Sequence, residues 1–244
     1  MFHLKILKNK SYHSRFQVKW RRRREGKTDY RSRKKMICQD KRKYNSPKFR
    51  VVIRISKRNI ICQFVHSRIE GDRVIDAVYS KKLKDIGIPF GFTNFPSAYT
   101  CGLFLAKRVL AKKKLNNKNY CSYNELTSIT LNAVLDIGLT RVTTGHKVFA
   151  AMKGALDGGI VIPHNEKRYP GYDSEKGFNS QLLCSRTKGE HIHSYMVNLK
   201  EEDELKFNRF FSCSLKCDIS PQKYSDLYNS LISRLLKNSF PLFQ

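Results

Sequence analysis

Four consecutive arginines, Arg21 to Arg24, are the sharpest chemical feature of this sequence, and Lys27, Tyr30 and Arg33 follow them closely. Four adjacent guanidinium groups cannot be buried together without partners, so they must face either water or phosphate. Guanidinium groups bind phosphate oxygens in a bidentate manner and stack on unpaired bases, and the flat rings of tyrosine and tryptophan stack in the same way. The block therefore predicts a surface that binds RNA.

The alternatives for such a basic block are a nuclear-import signal or a charged segment that simply faces solvent. Two observations favour RNA. Aromatic residues, among them Trp20 and Tyr44, are interleaved with the basic ones, and the basic density continues through residues 41–48, which is longer than an import signal needs. Residues 5–50 show little apolar periodicity, so we expect an extension that takes its order from a partner.

Two loops also combine cations with groups that bind phosphate. Residues 140–147 lie between a predicted strand and a predicted helix, where free backbone N–H groups point outward beside Thr143, Thr144 and basic side chains. Ordinary helix capping by either threonine explains this segment equally well. Residues 163–172 form a rigid loop that exposes Lys167 and Arg168 between aromatic residues. Both loops are candidate RNA surfaces.

Catalytic chemistry has few candidates. A metal-dependent nuclease gathers several carboxylates around an ion, and only Asp136, Asp157 and Asp173 lie near the basic loops. Asp136 and Asp157 fit a strand end and a helix C-terminus equally well, and no nucleophile or general base is identifiable beside them. The sequence also lacks the glycine-rich phosphate loop of NTPases. A metal-dependent RNA-processing enzyme is the alternative function, and we predict that the chain is no enzyme.

The cysteines give little evidence of a metal site. There are seven, an odd number without the spacing of a disulfide scaffold. Cys213 and Cys217 have a spacing that zinc tolerates, with His191 and His193 upstream. The segment lacks the glycine-rich knuckle that usually shapes a zinc site, and matches this loose are mostly accidental. We therefore predict neither a metal nor a cofactor.

The charge of the chain calls for a polyanionic partner. The 244 residues include 48 Lys and Arg against 20 Asp and Glu, a formal net charge of +28, which opposes compact folding by self-repulsion. Residues 1–60 hold 22 of the basic residues against three acidic ones, a net +19, whereas the rest hold 26 against 17, a net +9. No apolar stretch approaches the roughly 20 residues that cross a bilayer. We expect a soluble intracellular protein that binds RNA; a DNA-binding or chromatin protein held by charge alone is a further alternative.

The rest of the chain predicts a mixed α/β fold. β-Branched runs at 51–55 and 60–65, with 73–79 after a turn, indicate a three-stranded antiparallel meander. A helix is predicted from Thr93-Asn94 to Leu110, packed on the sheet, and the polar residues 112–119 are predicted to form a surface loop.

A strand at 129–135, a helix at 148–156 and a short strand at 160–162 complete a mixed β-sheet packed with helices. A helix at 200–211 and a final helix that begins at Ser220-Pro221 predict a helical C-terminal lobe. The acidic residues 201–204 are interpreted as a solvated helix start, with contact to a basic neighbouring protein as the alternative.

We divide the chain into a basic RNA-binding extension at 1–50, an α/β domain at 51–175 and a helical C-terminal segment at 176–244.

Short motifs run in a fixed order through roughly the first 175 residues: Gln17-Val18-Lys19, Arg21 to Tyr30, Gln39-Asp40-Lys41, Lys43-Tyr44-Asn45, Ile60-Ile61-Cys62-Gln63, Arg68-Ile69-Glu70-Gly71-Asp72, Gly91-Phe92-Thr93-Asn94, Thr143-Thr144-Gly145, Lys153-Gly154-Ala155, Asp157-Gly158-Gly159, Ile162-Pro163-His164 and Lys167-Arg168-Tyr169-Pro170-Gly171-Tyr172. Together they resemble the eukaryotic large-subunit ribosomal protein family that carries 5S rRNA, known as large-subunit protein five and universally as family eighteen.

This resemblance implies a noncatalytic protein that binds 5S rRNA with its extension and α/β domain and helps to dock it in the central protuberance. The implied partners are 5S rRNA, large-subunit rRNA, neighbouring large-subunit proteins and assembly factors, with no membrane and no homo-oligomer. The implied location is the cytosolic large subunit, after nuclear and nucleolar transit. By position, the implied RNA contacts are Arg21, Arg22, Arg23, Arg24, Lys27, Tyr30, Arg33, Lys41, Lys43, Tyr44, Lys48, Thr93, Asn94, Tyr99, Arg141, Thr143, Thr144, Lys147, Lys167 and Arg168.

The chain departs from the family pattern in two places. The segment between Leu110 and Ile129 is shorter than the pattern leads us to expect, and the sequence ends at Gln244 without a long lysine-rich tail. Beyond Tyr172 only the acidic cluster and the pattern of the final helix resemble the family.

Overall fold

The computed structural model describes residues 8–44, 46–118 and 131–237. The first of these ranges, together with residues 46–48, forms what we call the arm. It contains the short helices α1 (Lys10–Arg15), α2 (Arg21–Arg24) and α3 (Tyr30–Ile37) and a 3-10 turn (Lys41–Lys43). None of these elements buries a residue, because their sequences are mostly basic and present no continuous apolar face.

A five-stranded sheet forms the centre of the domain. Its strands are β1 (Phe49–Ile55), β2 (Ile60–Arg68), β3 (Gly71–Tyr79), β4 (Leu131–Asp136) and β5 (Ile160–Val161), in the spatial order β3-β2-β1-β4-β5. The three N-terminal strands pair antiparallel, which confirms the predicted meander. β4 and β5 join in parallel, so the sheet is mixed as expected.

The period-2 alternation of β1 sorts its side chains onto two faces of the sheet. Val51 and Ile53 lie in the hydrophobic core. Arg50 and Arg54 point to the opposite face, and Arg50 is only 1% exposed. Since β1 begins at Phe49, the last two residues that composition assigned to the basic extension belong to the sheet.

Two long helices, α4 (Phe95–Lys118) and α5 (Lys147–Asp157), supply much of the core and pack closely on each other. Glycines allow this approach, because a Cβ at Gly102 would collide with the carbonyl of Ala151 and one at Gly154 with the carbonyl of Tyr99. The sequence predicts that the first of these helices packs on the sheet, but it does not show that α5 also contacts it.

The predicted loop at 112–119 is wrong for residues 112–118, which continue α4; residue 119 lies outside the described ranges. Lysine and leucine, which are strong helix formers, make up five of these seven residues. The ammonium of Lys112 also lies 3.0 Å from the Asp76 carboxylate of β3, which ties this turn of the helix to the sheet. The first residues of the strand predicted at 129–135 fall outside the described ranges, and β4 is described from Leu131.

The C-terminal part is mostly helical, as predicted. It consists of a hairpin of β6 (Tyr172–Asp173) and β7 (Gly177–Phe178), followed by α6 (Ser180–Lys188), α7 (Glu190–Glu202), α8 (Glu204–Phe210), α9 (Ser212–Lys216) and α10 (Pro221–Leu236). Two hydrogen bonds join α10 to the start of α4, from Asn94 to the Tyr224 hydroxyl and between the hydroxyls of Ser97 and Tyr228, each 2.8 Å long. The C-terminal helices therefore share the core of the α/β domain.

A single helix at 200–211 does not form, because the chain breaks at Asp203. The Asp203 side chain accepts a hydrogen bond from the Lys206 N–H and so caps α8. The acidic cluster thus divides between the end of α7 and the start of α8. Within the described ranges, no helix has both the length and the hydropathy needed to cross a membrane.

Candidate nucleic-acid interface

Three of the four arginines in the block are held in a defined shape by bonds that use only part of the guanidinium group. Arg22 Nε donates to Thr28 Oγ1 and Arg24 Nε donates to the Lys19 carbonyl, both at 2.9 Å. Arg21 Nε lies 2.9 Å from Glu25 Oε1, although the Arg21 side chain is 83% exposed. The bonds recorded here all use Nε, so the outer nitrogens of these residues remain available for phosphate oxygens.

Glu25 organises the end of this block. Its carboxylate also accepts from the ammonium of Lys27 at 2.7 Å. The hydrogen bonds from Lys27 and Arg21 lower the pKa of Glu25. The Arg23 side chain is exposed and makes no hydrogen bond or ion pair to a described residue, so it is the least restrained cation of the block.

Exposed aromatic rings accompany these cations, as the sequence predicts. Trp20 is 70% exposed and packs edge-on against Tyr30, with 4.9 Å between ring centroids. Tyr44 is 90% exposed and has a φ of 48°, a conformation that bulky residues rarely adopt. Its neighbours Lys41 and Lys43 are also exposed. Flat exposed rings among cations are suited to stacking on unpaired bases.

Two of the implied RNA contacts in the arm are used inside the protein. Arg33 Nη2 lies 2.8 Å from Asp72 Oδ2 at the start of β3. Lys48 Nζ donates to the carbonyls of Lys35 and Cys38, at 3.0 and 2.8 Å, and so satisfies orphan acceptors at the end of α3. Arg33 therefore attaches the arm to the sheet, and Lys48 ties α3 to the residue that directly precedes β1.

Behind Arg33 lies a row of alternating charges across the sheet. Asp72 Oδ2 also accepts from Arg50 Nη2 at 2.8 Å, and Arg50 Nη1 reaches Asp136 Oδ2 at 2.9 Å. Asp136 Oδ1 in turn accepts from Arg54 at 2.8 Å. Burial raises the pKa of Asp72, but the hydrogen bonds from Arg33 and Arg50 outweigh it and hold the pKa below its usual value. Asp72 is therefore ionised at neutral pH.

The two candidate loops of the domain lie side by side. Thr144 Oγ1 donates to the Lys167 carbonyl at 3.2 Å, and the Gly145 N–H donates to the Arg168 carbonyl at 2.9 Å. The Asn165 side chain caps the 3-10 turn that carries both cations. Together the loops line an open depression of about 560 Å³, formed by Thr144, Asn165, Lys167, Arg168, Tyr172, Asp173 and Ser174.

Neither threonine caps α5, contrary to the capping alternative. His146 does so instead, because its Nδ1 accepts from the Val148 N–H at 3.2 Å. Burial, together with the nearby charge of Lys147, lowers the pKa of His146 and favours the neutral ring that this acceptor role requires. Thr143 and Thr144 are left exposed, as is Arg141, so hydroxyl and guanidinium groups stand at the N-terminal end of the helix.

The three implied contacts around the start of α4 face a different environment. Tyr99 is 7% exposed, and its hydroxyl donates to Asp157 at 2.8 Å. Burial and the Asp157 charge raise its pKa, so the ring has a structural place between α4 and α5. The Asn94 amide is bonded to Tyr224, while Thr93 is half-buried. Little of these three side chains is therefore accessible to a ligand in this structure.

The described residues do not gather the carboxylates that a metal-dependent nuclease needs. Asp136 is occupied by Arg50 and Arg54, and Asp157 by Tyr99 and by Lys153 at 2.7 Å. Within the same ranges, no three Asp, Glu, His or Cys side chains are close enough to share a metal ion, and this includes the cysteine pair considered for zinc.

Sequence reasoning missed the acidic partners of the interface. Asp72 was noted only within a short motif, and Asp136 as a candidate metal ligand or a strand end, yet both organise arginines. The available signal was Arg50 and Arg54, two arginines at alternate positions of a β-branched strand. A charged residue in such a run implies a buried partner, although the sequence does not say which one.

Comparisons with known proteins give a consistent result. The family model of ribosomal large subunit proteins 60S L5 and 50S L18 matches residues 14–165. The large ribosomal subunit protein uL18 of Drosophila melanogaster is 47% identical over 238 aligned residues, which cover 92% of this chain and 79% of that protein. The uL18 protein of Suberites domuncula is 44% identical over 251 aligned residues, covering 96% and 84%.

Proposed function

This chain belongs to the family of ribosomal large subunit proteins 60S L5 and 50S L18, and we propose that it binds 5S rRNA and helps to dock it in the central protuberance. Membership makes it a structural constituent of the large ribosomal subunit and not an enzyme. The finer assignment rests on the resemblance of its motifs and on the chemistry of its exposed surfaces.

The observation that carries the proposal is the arginine block of α2. Three of its guanidinium groups are oriented through Nε, and all four side chains are exposed, beside the exposed ring of Trp20. Such a block pre-organises several bidentate phosphate donors, which lowers the entropy lost on binding. RNA also offers unpaired bases, which duplex DNA does not, and the exposed aromatic rings favour RNA for that reason.

The paired loops of the domain are the second surface in the proposal. Lys167 and Arg168 extend from a turn held against Thr144 and Gly145 by two hydrogen bonds. Hydroxyls, an amide and two cations around one depression are suited to a folded RNA backbone. We assign this surface to the domain at 51–175 and the arginine block to the extension at 1–50, with residues 176–244 as a helical segment that supports α4.

The further partners are those of a large-subunit protein. We propose contacts with large-subunit rRNA and with neighbouring proteins of the central protuberance, and with assembly factors before incorporation. The protein would work in cytosolic ribosomes after transit through the nucleus and nucleolus. Its net charge of +28 also means that its affinity for any nucleic acid depends strongly on salt.

Sequencing the RNA that co-purifies with the full chain at moderate salt tests the proposal. We expect a small RNA of 5S size and co-migration with the large subunit. A competition experiment at one fixed salt concentration then compares 5S rRNA with duplex DNA of equal phosphate content, because salt slopes alone do not separate the two. Recovery of the chain free of RNA from a low-salt extract, or equal competition by DNA, would contradict the proposal.

A further inference from the structure

An acidic residue holds the most basic part of the chain in place. One oxygen of Asp72, Oδ2, accepts from Arg33 of α3 and from Arg50 of β1, each at 2.8 Å. Arg50 is buried and is bonded on its other side to Asp136. Arg50 therefore fixes the Asp72 carboxylate in the sheet, and the same carboxylate holds the arm through Arg33.

A second bond prevents α3 from rotating about this contact. Lys48, just before β1, donates to the carbonyls of Lys35 and Cys38 at the C-terminal end of the helix. Arg33 is attached one half-turn earlier, to a different strand. The two anchors, Lys48 directly before β1 and Asp72 in β3, hold an eight-residue helix at separate points and so define its direction as well as its position.

The position of α3 is passed on to the arginine block by short contacts. Tyr30, the first residue of α3, packs against Trp20 at 4.9 Å, next to Arg21. The Thr28 hydroxyl accepts from Arg22, and the Lys27 N–H donates to the Arg22 carbonyl at 2.9 Å. Moving α3 therefore moves the cations of α2.

We propose that Asp72 is a positioning residue for RNA binding: acting through Arg33, it holds the arm so that the arginine block faces the RNA that the domain also contacts. This inference rests on the proposed function. It has an unusual consequence, because an extra negative charge ordinarily weakens the binding of a polyanion. Here the negative charge of Asp72 strengthens RNA binding, and its removal weakens it.

The matched pair D72N and E70Q tests the sign of this effect. Glu70 is exposed in the same turn and has no partner among the described residues, so both variants remove one negative charge at nearly one place. In a 5S rRNA binding titration of the full chain at one fixed salt, we expect D72N to bind about tenfold more weakly, equivalent to about 1.4 kcal/mol. E70Q binds as well as the unmodified chain or better. Equal affinities of D72N and E70Q would overturn the proposal.

R33Q separates positioning from direct contact without touching the core of the domain. If Arg33 acts through Asp72, adding R33Q to D72N has little further effect on affinity, whereas losses that multiply show independent roles and overturn the proposal. If D72N lowers the thermal midpoint of the domain, R33Q alone serves as the test. R33Q must then show the expected loss of affinity for 5S rRNA.

Hydrogen exchange of the free chain gives a readout that does not depend on RNA. The amides of residues 30–37 should exchange faster in D72N and in R33Q than in E70Q, because α3 loses one anchor. Unchanged exchange in both variants would overturn the positioning role. If the unmodified chain fails to bind 5S rRNA while these amides respond as expected, the proposed function fails and the arm anchor stands.

Discussion

Arg50 donates to Asp136 at 2.9 Å across β1 and β4, although 86 residues separate the two in sequence. Both side chains are almost completely buried, on the face of the sheet opposite the core residues Val51 and Ile53. Removing one member of a buried pair leaves an uncompensated charge, which is more costly than the pair itself is stabilising. This contact is therefore a sensitive point of the fold.

We predict that Asp136→Asn lowers the free energy of unfolding by about 3–5 kcal/mol. The substitution removes the negative charge that serves both Arg50 and Arg54. Urea unfolding followed by circular dichroism measures the change. Asp173→Asn is the control, because Asp173 is exposed and belongs to no recorded ion pair, and its effect should stay within about 0.5 kcal/mol. Equal effects of the two variants would contradict the prediction.

The sheet and the two main helices were predictable because their signals are local. The β-branched runs of β1 and β2 alternate with a period of two, and β3 begins directly after a turn, at Gly71. The exposure of the arginine block was equally local, since a run of four arginines admits few environments.

What the sequence could not show depends on partners that are distant along the chain. The burial of Arg50 needs Asp136, and the anchoring of Arg33 needs Asp72, 39 residues away. The cap of α5 was missed for a different reason: threonine is the commoner capping residue, but the backbone places the His146 ring nitrogen at the Val148 N–H. The resemblance implies Tyr99 as an RNA contact, and only the structure shows that its hydroxyl donates to Asp157 between two helices.

Because α4 and α5 approach each other closely, we predict that Gly154→Ala destabilises the protein, which is the opposite of its usual effect in a helix. Gly154→Ala in a helix interior ordinarily adds about 1 kcal/mol of stability through helix propensity. Here the new Cβ would collide with the Tyr99 carbonyl, so we expect a net loss of about 1–3 kcal/mol from overpacking. Thermal unfolding measures the sign. Ser230→Ala, on the exposed side of α10, is the control and should change little; a stabilised Gly154→Ala variant would show that the helices can separate without cost.

The arginine block predicts a change in salt dependence as well as in affinity. Replacing Arg22, Arg23 and Arg24 by alanine should weaken 5S rRNA binding and reduce the slope of log K against log salt by about 2, since each phosphate contact to single strands contributes about 0.7. The domain should keep its thermal midpoint, because α2 buries no residue.

The matched control for this variant removes three lysines of equal charge from another exposed segment, Lys81, Lys82 and Lys84. If net charge alone governs binding, both triple variants lose the same affinity and slope. If the arginine block is the contact, only its own variant shows the full reduction. Unfolding of the domain in the arginine variant would instead mean that these side chains pack inside.

His191 at the start of α7 predicts a loss of stability in mild acid. Burial, and secondarily the charge of Arg186, lowers its pKa to about 4 from 6.5, and its Nδ1 is buried without a partner among the described residues. The unfolded chain therefore takes up the proton first, so this contribution to stability is complete above about pH 6.5 and is lost as the pH falls towards 4. Because the ring is only half-buried, screening limits the loss to about 1 kcal/mol. Urea midpoints between pH 7 and pH 5 should fall less steeply in His191→Gln than in the unmodified chain, and parallel slopes in the two proteins would contradict the prediction.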